Sequence, residues 1–324
     1  MPHLLNRRHL LQLAGAASLA SSGLVHAQAA AARILVGFPP GGTLDVLARL
    51  LAPQFAKSGG TWIVENKPGA SAQLAAVAVK QAPPDGLSLL LTPTSVLSLT
   101  AQLFRKPLVD PLRDFAAVGT VVEHPFAFAV SGNSPIKTMA EFITWAKANP
   151  QSVSVANPSA GTSPHFLAMV LAKEAGITMQ HVAYRGTAPG LTDLIGGQVT
   201  CTLNAQPSMI EFHKAGRIRI LATTGAKRSA SLPDVPTFSE LKFSGLDYAE
   251  SFGLFVHAAT PATTIGRLET LVQQAVASPE MAEAARKLEL QPIHSTATTY
   301  RQLLDADHRR WAGIAKESGF TLDS

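Results

Sequence analysis

From residue 33 to the C-terminus, short apolar runs alternate with stretches whose apolar positions recur every three or four residues. Arg33 to Phe38, Thr61 to Glu65, Leu87 to Thr92 and Phe115 to Val122 predict strands. Leu44, Leu47, Leu51 and Phe55, between the first two, predict a helix with one face on a sheet. A further strand, Phe126 to Val130, leads into Ser-Gly-Asn-Ser-Pro, and the alternation resumes. Helices are expected over Thr138 to Ala148, Pro164 to Ala175, Ala188 to Ile195 and Pro207 to Lys214. Strands are expected over Val153 to Ala156, Gln180 to Tyr184, Val199 to Asn204 and Ile218 to Thr224. After Pro233-Asp234-Val235-Pro236 comes a mixed stretch, then the apolar run Phe252 to Val256, and from Pro261 onward the pattern is helical.

Strand, helix and strand in succession predict parallel α/β sheets. A C-terminal block without strands has no layer of its own, so it is expected to pack back onto the first sheet, with chain crossings near residues 130 and 254. The expected fold is therefore α/β with two lobes, 33–130 plus 254–324 and 131–253, around a central cleft, since open α/β sheets bind ligands beyond the carboxyl ends of their strands.

The first residues follow another pattern. Arg7 and Arg8 precede a run from Leu10 to Leu24 of mostly Leu and Ala, and Val25-His26-Ala27 puts small residues where a signal peptidase cuts. Residues 1–27 read as an export signal, and the mature chain is expected in the periplasm. Arg7-Arg8 followed by His9-Leu10-Leu11 also resembles a twin-arginine signal, with Asn6 and Leu10 in place of the more usual Ser and Phe, so both export routes stay open.

The charge changes once that segment is set aside. The chain of 324 residues holds 27 Lys+Arg and 22 Asp+Glu, a net +5. Two of those arginines lie in residues 1–27, and the remaining excess of +3 forms no basic run. Nucleic acid is not an expected partner. A single cysteine, Cys201, excludes an internal disulfide or a thiolate metal cluster, and within a strand it reads as a buried, inert thiol.

Three loops at strand ends could carry chemistry. Phe38-Pro39-Pro40-Gly41-Gly42-Thr43-Leu44-Asp45 joins the first strand to the first helix. Its glycines allow close approach, Thr43 suits the N-cap, and the helix start offers free N–H groups to an anion. The charge of Asp45 opposes an anion, so it reads as a brace behind the loop. Asn157-Pro158-Ser159-Ala160-Gly161-Thr162-Ser163-Pro164-His165 repeats the arrangement in the second lobe, with Ser163 suited to the N-cap; Thr162 and Ser163 offer hydroxyls. Tyr184-Arg185-Gly186-Thr187-Ala188-Pro189-Gly190 adds a phenol, a guanidinium and further donors, with Arg185 equally suited to the surface or to a ligand. His165 reads as structural. No G-x-S-x-G elbow, phosphate loop, H-E-x-x-H helix or G-x-G-x-x-G turn occurs, and the histidines after residue 27 are too dispersed for local metal spacing. No enzyme activity, cofactor or metal is expected; hydrolysis through Ser163 and His165 is the enzymatic alternative.

With these loops in place, the chain resembles the Bug family of periplasmic solute-binding proteins, the receptor component of tripartite tricarboxylate transporters. The segments that carry the resemblance include ILVGFPPGGTLDVLAR, VENKPGA, PPDGLSLLL, LFRKPLVDPLRDFAAVG, AGTSPHF, VAYRGTAPGLTDLIGGQV and AGRIRILATTGAKRSASLPDVPTFSEL. The resemblance implies a type II periplasmic-binding-protein-like fold, closing on a small carboxylate held by backbone amides, hydroxyls and water. It implies ligand-binding roles for Phe38, Gly41, Gly42, Thr43 and Asp45 in the first lobe and for Gly161, Thr162, Ser163, His165, Tyr184, Gly186 and Thr187 in the second. Ser95 and Asn204 fall at strand ends that complete the pocket, and Arg185 lies beside it. The chain departs from the family's pattern at Gly69-Ala70-Ser71-Ala72-Gln73-Leu74-Ala75, where a glycine-rich run is usual, at Phe252, where Trp is common, and at Asn204, where Asp is common. The expected partners are a small carboxylate and a membrane permease, with the receptor acting as a monomer; presentation of the ligand to a membrane sensor kinase is the alternative.

Overall fold

Ala32–Val36, strand β1 in a computed structural model that describes residues 31–322, pairs in parallel with β2 (Trp62–Asn66) on one side and β3 (Ser88–Pro93) on the other. Helix α1 (Thr43–Ala56) joins β1 to β2 and buries Leu44, Leu47, Leu51 and Phe55, one stripe at the spacing that a sheet-covering helix requires. Helix α2 (Gln73–Lys80) joins β2 to β3. Antiparallel to β3 runs β9 (Ala249–His257), and antiparallel to β9 runs β4 (Phe115–Ser131), giving the order β2-β1-β3-β9-β4. The export segment read over residues 1–27 lies outside the described residues.

β4 is one strand of 17 residues where the sequence suggests two. Its first part pairs with β9 as far as Pro125 opposite Ala249, and its second pairs from Phe126 onward with β7 (Cys201–Ala205) and, on its other edge, from Ala127 onward with β8 (Ile218–Thr223). Proline has no N–H to give a ladder. Pro125 sits where the partner strands change, so its missing donor interrupts the sheet without ending the strand. The second sheet continues from β7 to β5 (Ser154–Asn157) and β6 (Gln180–Ala183), all parallel, with helices α3 (Met139–Ala148), α4 (Ser163–Ala175), α5 (Thr187–Ile195) and α6 (Ile210–Lys214).

The C-terminal block supplies α7 (Ala262–Val276), α8 (Pro279–Lys287), a two-residue strand β10 (Gln291–Pro292) on β4, and α9 (Ala297–Ser318). Helices α7 and α8 bury Leu268, Val272, Met281 and Ala285 in the core shared with β1 and α1. Helix α9 carries buried Tyr300, Leu304 and Trp311 on one stripe. Tyr300 and Leu304 lie in the first-lobe core with Leu90 and Phe255, whereas Trp311 lies with Phe128, Phe142 and Phe166 in the second-lobe core. The helix therefore leaves the first sheet partway along its length and ties the two lobes together, in addition to the connections through β4 and β9.

Candidate functional site

Between the two lobes lies a cavity of about 610 Å³. From the first lobe it is lined by Phe38 and Pro39 after β1, by Pro68, Gly69, Ser71 and Ala72 before α2, and by Ser95 after β3. From the second it is lined by Thr162 and Ser163 at the start of α4, by Tyr184 to Thr187 before α5, and by Asn204 at the end of β7. The long strands supply the floor: His124 and Phe126 from β4, and Glu250 and Phe252 from β9. His124 contacts Phe126 and Phe252 edge-on, at 5.3 and 5.2 Å between ring centres.

Helices α2, α4 and α5 all begin at this cavity, at Ala72, Thr162 and Gly186, and none has a side chain capping its first N–H groups. Away from the cavity, α3, α8 and α9 are capped by Thr138, Ser278 and Thr296, while α1, α6 and α7 also begin without a side-chain cap. At α2 the Gln73 and Leu74 N–H groups already donate to the Ala70 and Gly69 carbonyls, at 3.0 and 3.5 Å, so the environment for an anion is made by the positive ends of the three helix dipoles together with the starts of α4 and α5. The expected caps differ in detail: Gly42 and Thr162, not Thr43 and Ser163, are the N-cap residues of α1 and α4. The Thr162 hydroxyl turns back to donate to the Ser159 carbonyl at 2.8 Å.

The structure brings Phe38, Ser95, Thr162, Ser163, Tyr184, Arg185, Gly186, Thr187 and Asn204 to the cavity wall. Gly41, Gly42 and Thr43 are exposed and outside it. Asp45 is buried behind that loop, accepting from the Gly41 N–H at 2.9 Å and from Arg49 at 3.0 Å. The Arg49 hydrogen bond, then the Gly41 amide, hold its carboxyl down to about 2, so it braces the turn as an anion. Gly161 and His165 also lie outside the lining. His165 Nδ1 accepts from the Gly161 N–H at 3.2 Å, and burial, with His181 beside it, lowers its pKa to about 4. The Ser163 hydroxyl bonds Glu250, and no hydrogen bond joins Ser163 to His165 among the described residues.

Several side chains are already committed. The Tyr184 hydroxyl donates to Asp193 at 2.6 Å, and burial followed by that hydrogen bond pushes its pKa up to about 12. The Thr187 hydroxyl donates to Asn204 Oδ1 at 3.0 Å, which also accepts from the Ala205 N–H. Arg185 stands exposed at the rim.

Glu250 is not among the residues expected from sequence, because it lies before the apolar run Phe252 to Val256 although β9 begins at Ala249. The available signal was one acid between Tyr248 and the apolar run. The glycine-poor segment before α2 is where the departure from the family pattern becomes structural. Ala70, Ser71 and Ala72 hold φ of 44, 51 and 72°, three successive left-handed residues with side chains. Each costs a non-glycine residue roughly 1–2 kcal/mol, partly offset by glycine's greater freedom when unfolded. Ala72→Gly is expected to stabilise the protein by roughly 0.5–1 kcal/mol in chemical denaturation. An equal or lower stability would remove strain as the account of this segment.

Residues 47–320 match the model of the tripartite tricarboxylate transporter family receptor. A UPF0065 protein from the gbd 5' region of Cupriavidus necator is 32% identical, covering 97% of this chain and 98% of the relative. Among solved structures, R. palustris Rpa4515 with adipate is similar with a TM-score of 0.78 and 27% identity, over 91% of this chain and 98% of that one. MatC from Rhodopseudomonas palustris with bound malate is similar with a TM-score of 0.75 and 25% identity, over 88% and 98% respectively. The fold is that of periplasmic binding proteins, among them the periplasmic binding protein BugD, similar with a TM-score of 0.75 and 27% identity over 90% of this chain and 98% of that one.

Proposed function

The chain belongs to the tripartite tricarboxylate transporter receptor family, and from that premise we propose that it is a periplasmic receptor that captures a small organic carboxylate between its lobes and delivers it to the membrane permease of a tripartite transporter. The observation that carries this reading is the convergence of three helix starts, at Ala72, Thr162 and Gly186 and from both lobes, on one cavity. Adipate and malate in two similar proteins support a carboxylate as the ligand class. Phe38, Phe126 and Phe252 make the remaining wall apolar, which suits an acid with a hydrocarbon or aromatic body. No bond of the ligand is made or broken. In this reading the lobes are 33–130 plus 254–324 and 131–253, they hinge on β4 and β9, residues 1–27 direct export, and the receptor works as a monomer.

A permease can tell a loaded receptor from an empty one only if the ligand binds the closed form better than the open form. Small-angle scattering with a panel of mono-, di- and tricarboxylates is therefore expected to show a smaller radius of gyration with at least one acid, and none with matched neutral amides. Absence of compaction with every acid would overturn the proposal.

A further inference from the structure

Among the described residues Glu250 is the one carboxyl lining the cavity, and it is 4% exposed. Its Oε1 accepts from the Ser95 N–H of the first lobe at 3.1 Å. Its Oε2 lies 2.7 Å from the hydroxyl of Ser163, the first residue of α4 in the second lobe. Among the described residues no cation forms an ion pair with it. We infer that Glu250 is a positioning residue that sets which way the Ser163 hydroxyl points, and that a carboxylate enters the cleft together with one proton, carried by Glu250. This inference rests on the carboxylate reading of the cleft.

The backbone N–H of Ser95 can only donate, so Oε1 is an acceptor in either protonation state. The contact between Oε2 and Ser163 can run either way, because 2.7 Å suits an O–H···O bond with either oxygen as donor. When Glu250 is ionised, the Ser163 proton is spent on Oε2 and the hydroxyl offers the cavity only lone pairs. When Oε2 carries a proton, it donates to Ser163 Oγ, and the Ser163 O–H is free to donate to an anion beside the uncapped start of α4. The proton comes from solvent, and the ligand's own bonds are unchanged.

The surrounding charges favour the protonated form beside an anion. Opposite Glu250 on β4 is His124, buried and neutral because desolvation lowers its pKa to about 4. On its own strand is Tyr248, whose hydroxyl donates to Asp307 of α9 at 3.4 Å and also interacts with Glu250 and Ser163, an interaction that, like those from Ser95 and Ser163, works against the burial of Glu250. Burial, and then the charge of Glu250, raise Asp307 to about 7. Tyr300 of α9 is bonded to Thr94, and Arg310 lies over the Tyr248 ring at 5.1 Å, donating to the carbonyls of Gly245 and Asp247. Arg185 is at the cavity rim. Burial itself raises the Glu250 carboxyl above its ordinary range. A ligand carboxylate adds a further negative charge, which raises it again.

The sign follows. Where free Glu250 is ionised and loaded Glu250 is protonated, affinity falls as pH rises, by up to about tenfold per pH unit. The test is calorimetry of the full-length receptor with acetate, benzoate, malate, adipate and citrate from about pH 6 to about pH 8.5, in two buffers of different ionisation enthalpy. The tightest binder is expected to show this slope with uptake of about one proton. Glu250→Gln, whose amide can donate to Ser163 permanently, is expected to lose both the slope and the proton uptake. Ser163→Ala is expected to weaken binding about tenfold at the acid end and to converge on wild type at the alkaline end. Asp307→Asn, which removes the nearby acid, is expected to keep the slope but move it to lower pH. An unchanged slope in Glu250→Gln would overturn the inference and leave the receptor reading standing. Failure of all five acids to bind wild type at any pH would overturn both.

Discussion

Replacing Trp311 with alanine is expected to lower the free energy of unfolding by about 3–5 kcal/mol, the range for emptying the site of a buried indole. The side chain is fully buried, its ring centre 5.2 Å from Tyr248 and 6.3 Å from Phe166, both edge-on. The guanidinium of Arg310 covers it at 5.4 Å. Trp62 and Trp145 remain as fluorophores for a urea titration of the variant. The effect should be uneven along α9. Tyr300 and Leu304 stay packed in the first-lobe core, so hydrogen exchange should accelerate in the second half of the helix more than in the first. It should also reach the cleft, because Tyr248 stacks on Phe126 at 6.1 Å and Phe126 is part of the cavity floor. A loss below about 1 kcal/mol, or exchange that rises equally along α9, would show that this helix does not tie the lobes.

How far such a device could be read in advance depended on whether its signal was local. The helix between β1 and β2 was legible because Leu44, Leu47, Leu51 and Phe55 repeat at the helical period. The alternation of strands and helices likewise carried the α/β architecture. The path of α9 was not legible, since Tyr300, Leu304 and Trp311 form a single stripe that says nothing about which core each residue meets. The continuity of β4 was not legible either, because Glu123-His124-Pro125 separates the two apolar runs in the sequence, and Pro125 sits at the position where one strand exchanges partners. In the site, the loops that begin helices announced themselves through Gly, Ser, Thr and Pro. Tyr184 shows the limit, because its hydroxyl is taken by Asp193 nine residues away. Glu250 shows it again, since its partners Ser95 and Ser163 come from two lobes and meet only in the folded chain.

Gly37→Ala is expected to disable the cleft and to destabilise the fold by about 1–3 kcal/mol, the usual cost of forcing atoms into a packed interior. A methyl group at this position would sit 2.6 Å from the Ala72 carbonyl oxygen, 2.7 Å from its Cβ and 2.9 Å from its Cα. None of these is the end of a flexible side chain, so no rotamer change relieves the clash. The backbone at Ala70 to Ala72 must shift, and it is already held in three successive left-handed conformations. That segment lines the cavity at Gly69, Ser71 and Ala72 and begins α2, so the shift should also weaken carboxylate binding by at least about tenfold. Gly42→Ala is the control within the same loop: its nearest obstruction is the Pro39 carbonyl at 3.6 Å, its φ is −77°, and it lies outside the cavity wall. It should melt and bind within experimental error of wild type. Combining Gly37→Ala with Ala72→Gly removes only the Cβ contact and leaves those to the oxygen and Cα, so rescue should be partial. Denaturation and calorimetry on the three variants separate the two effects. If Gly37→Ala melts and binds as wild type does, the close approach of β1 to the start of α2 is not what shapes this wall of the cleft.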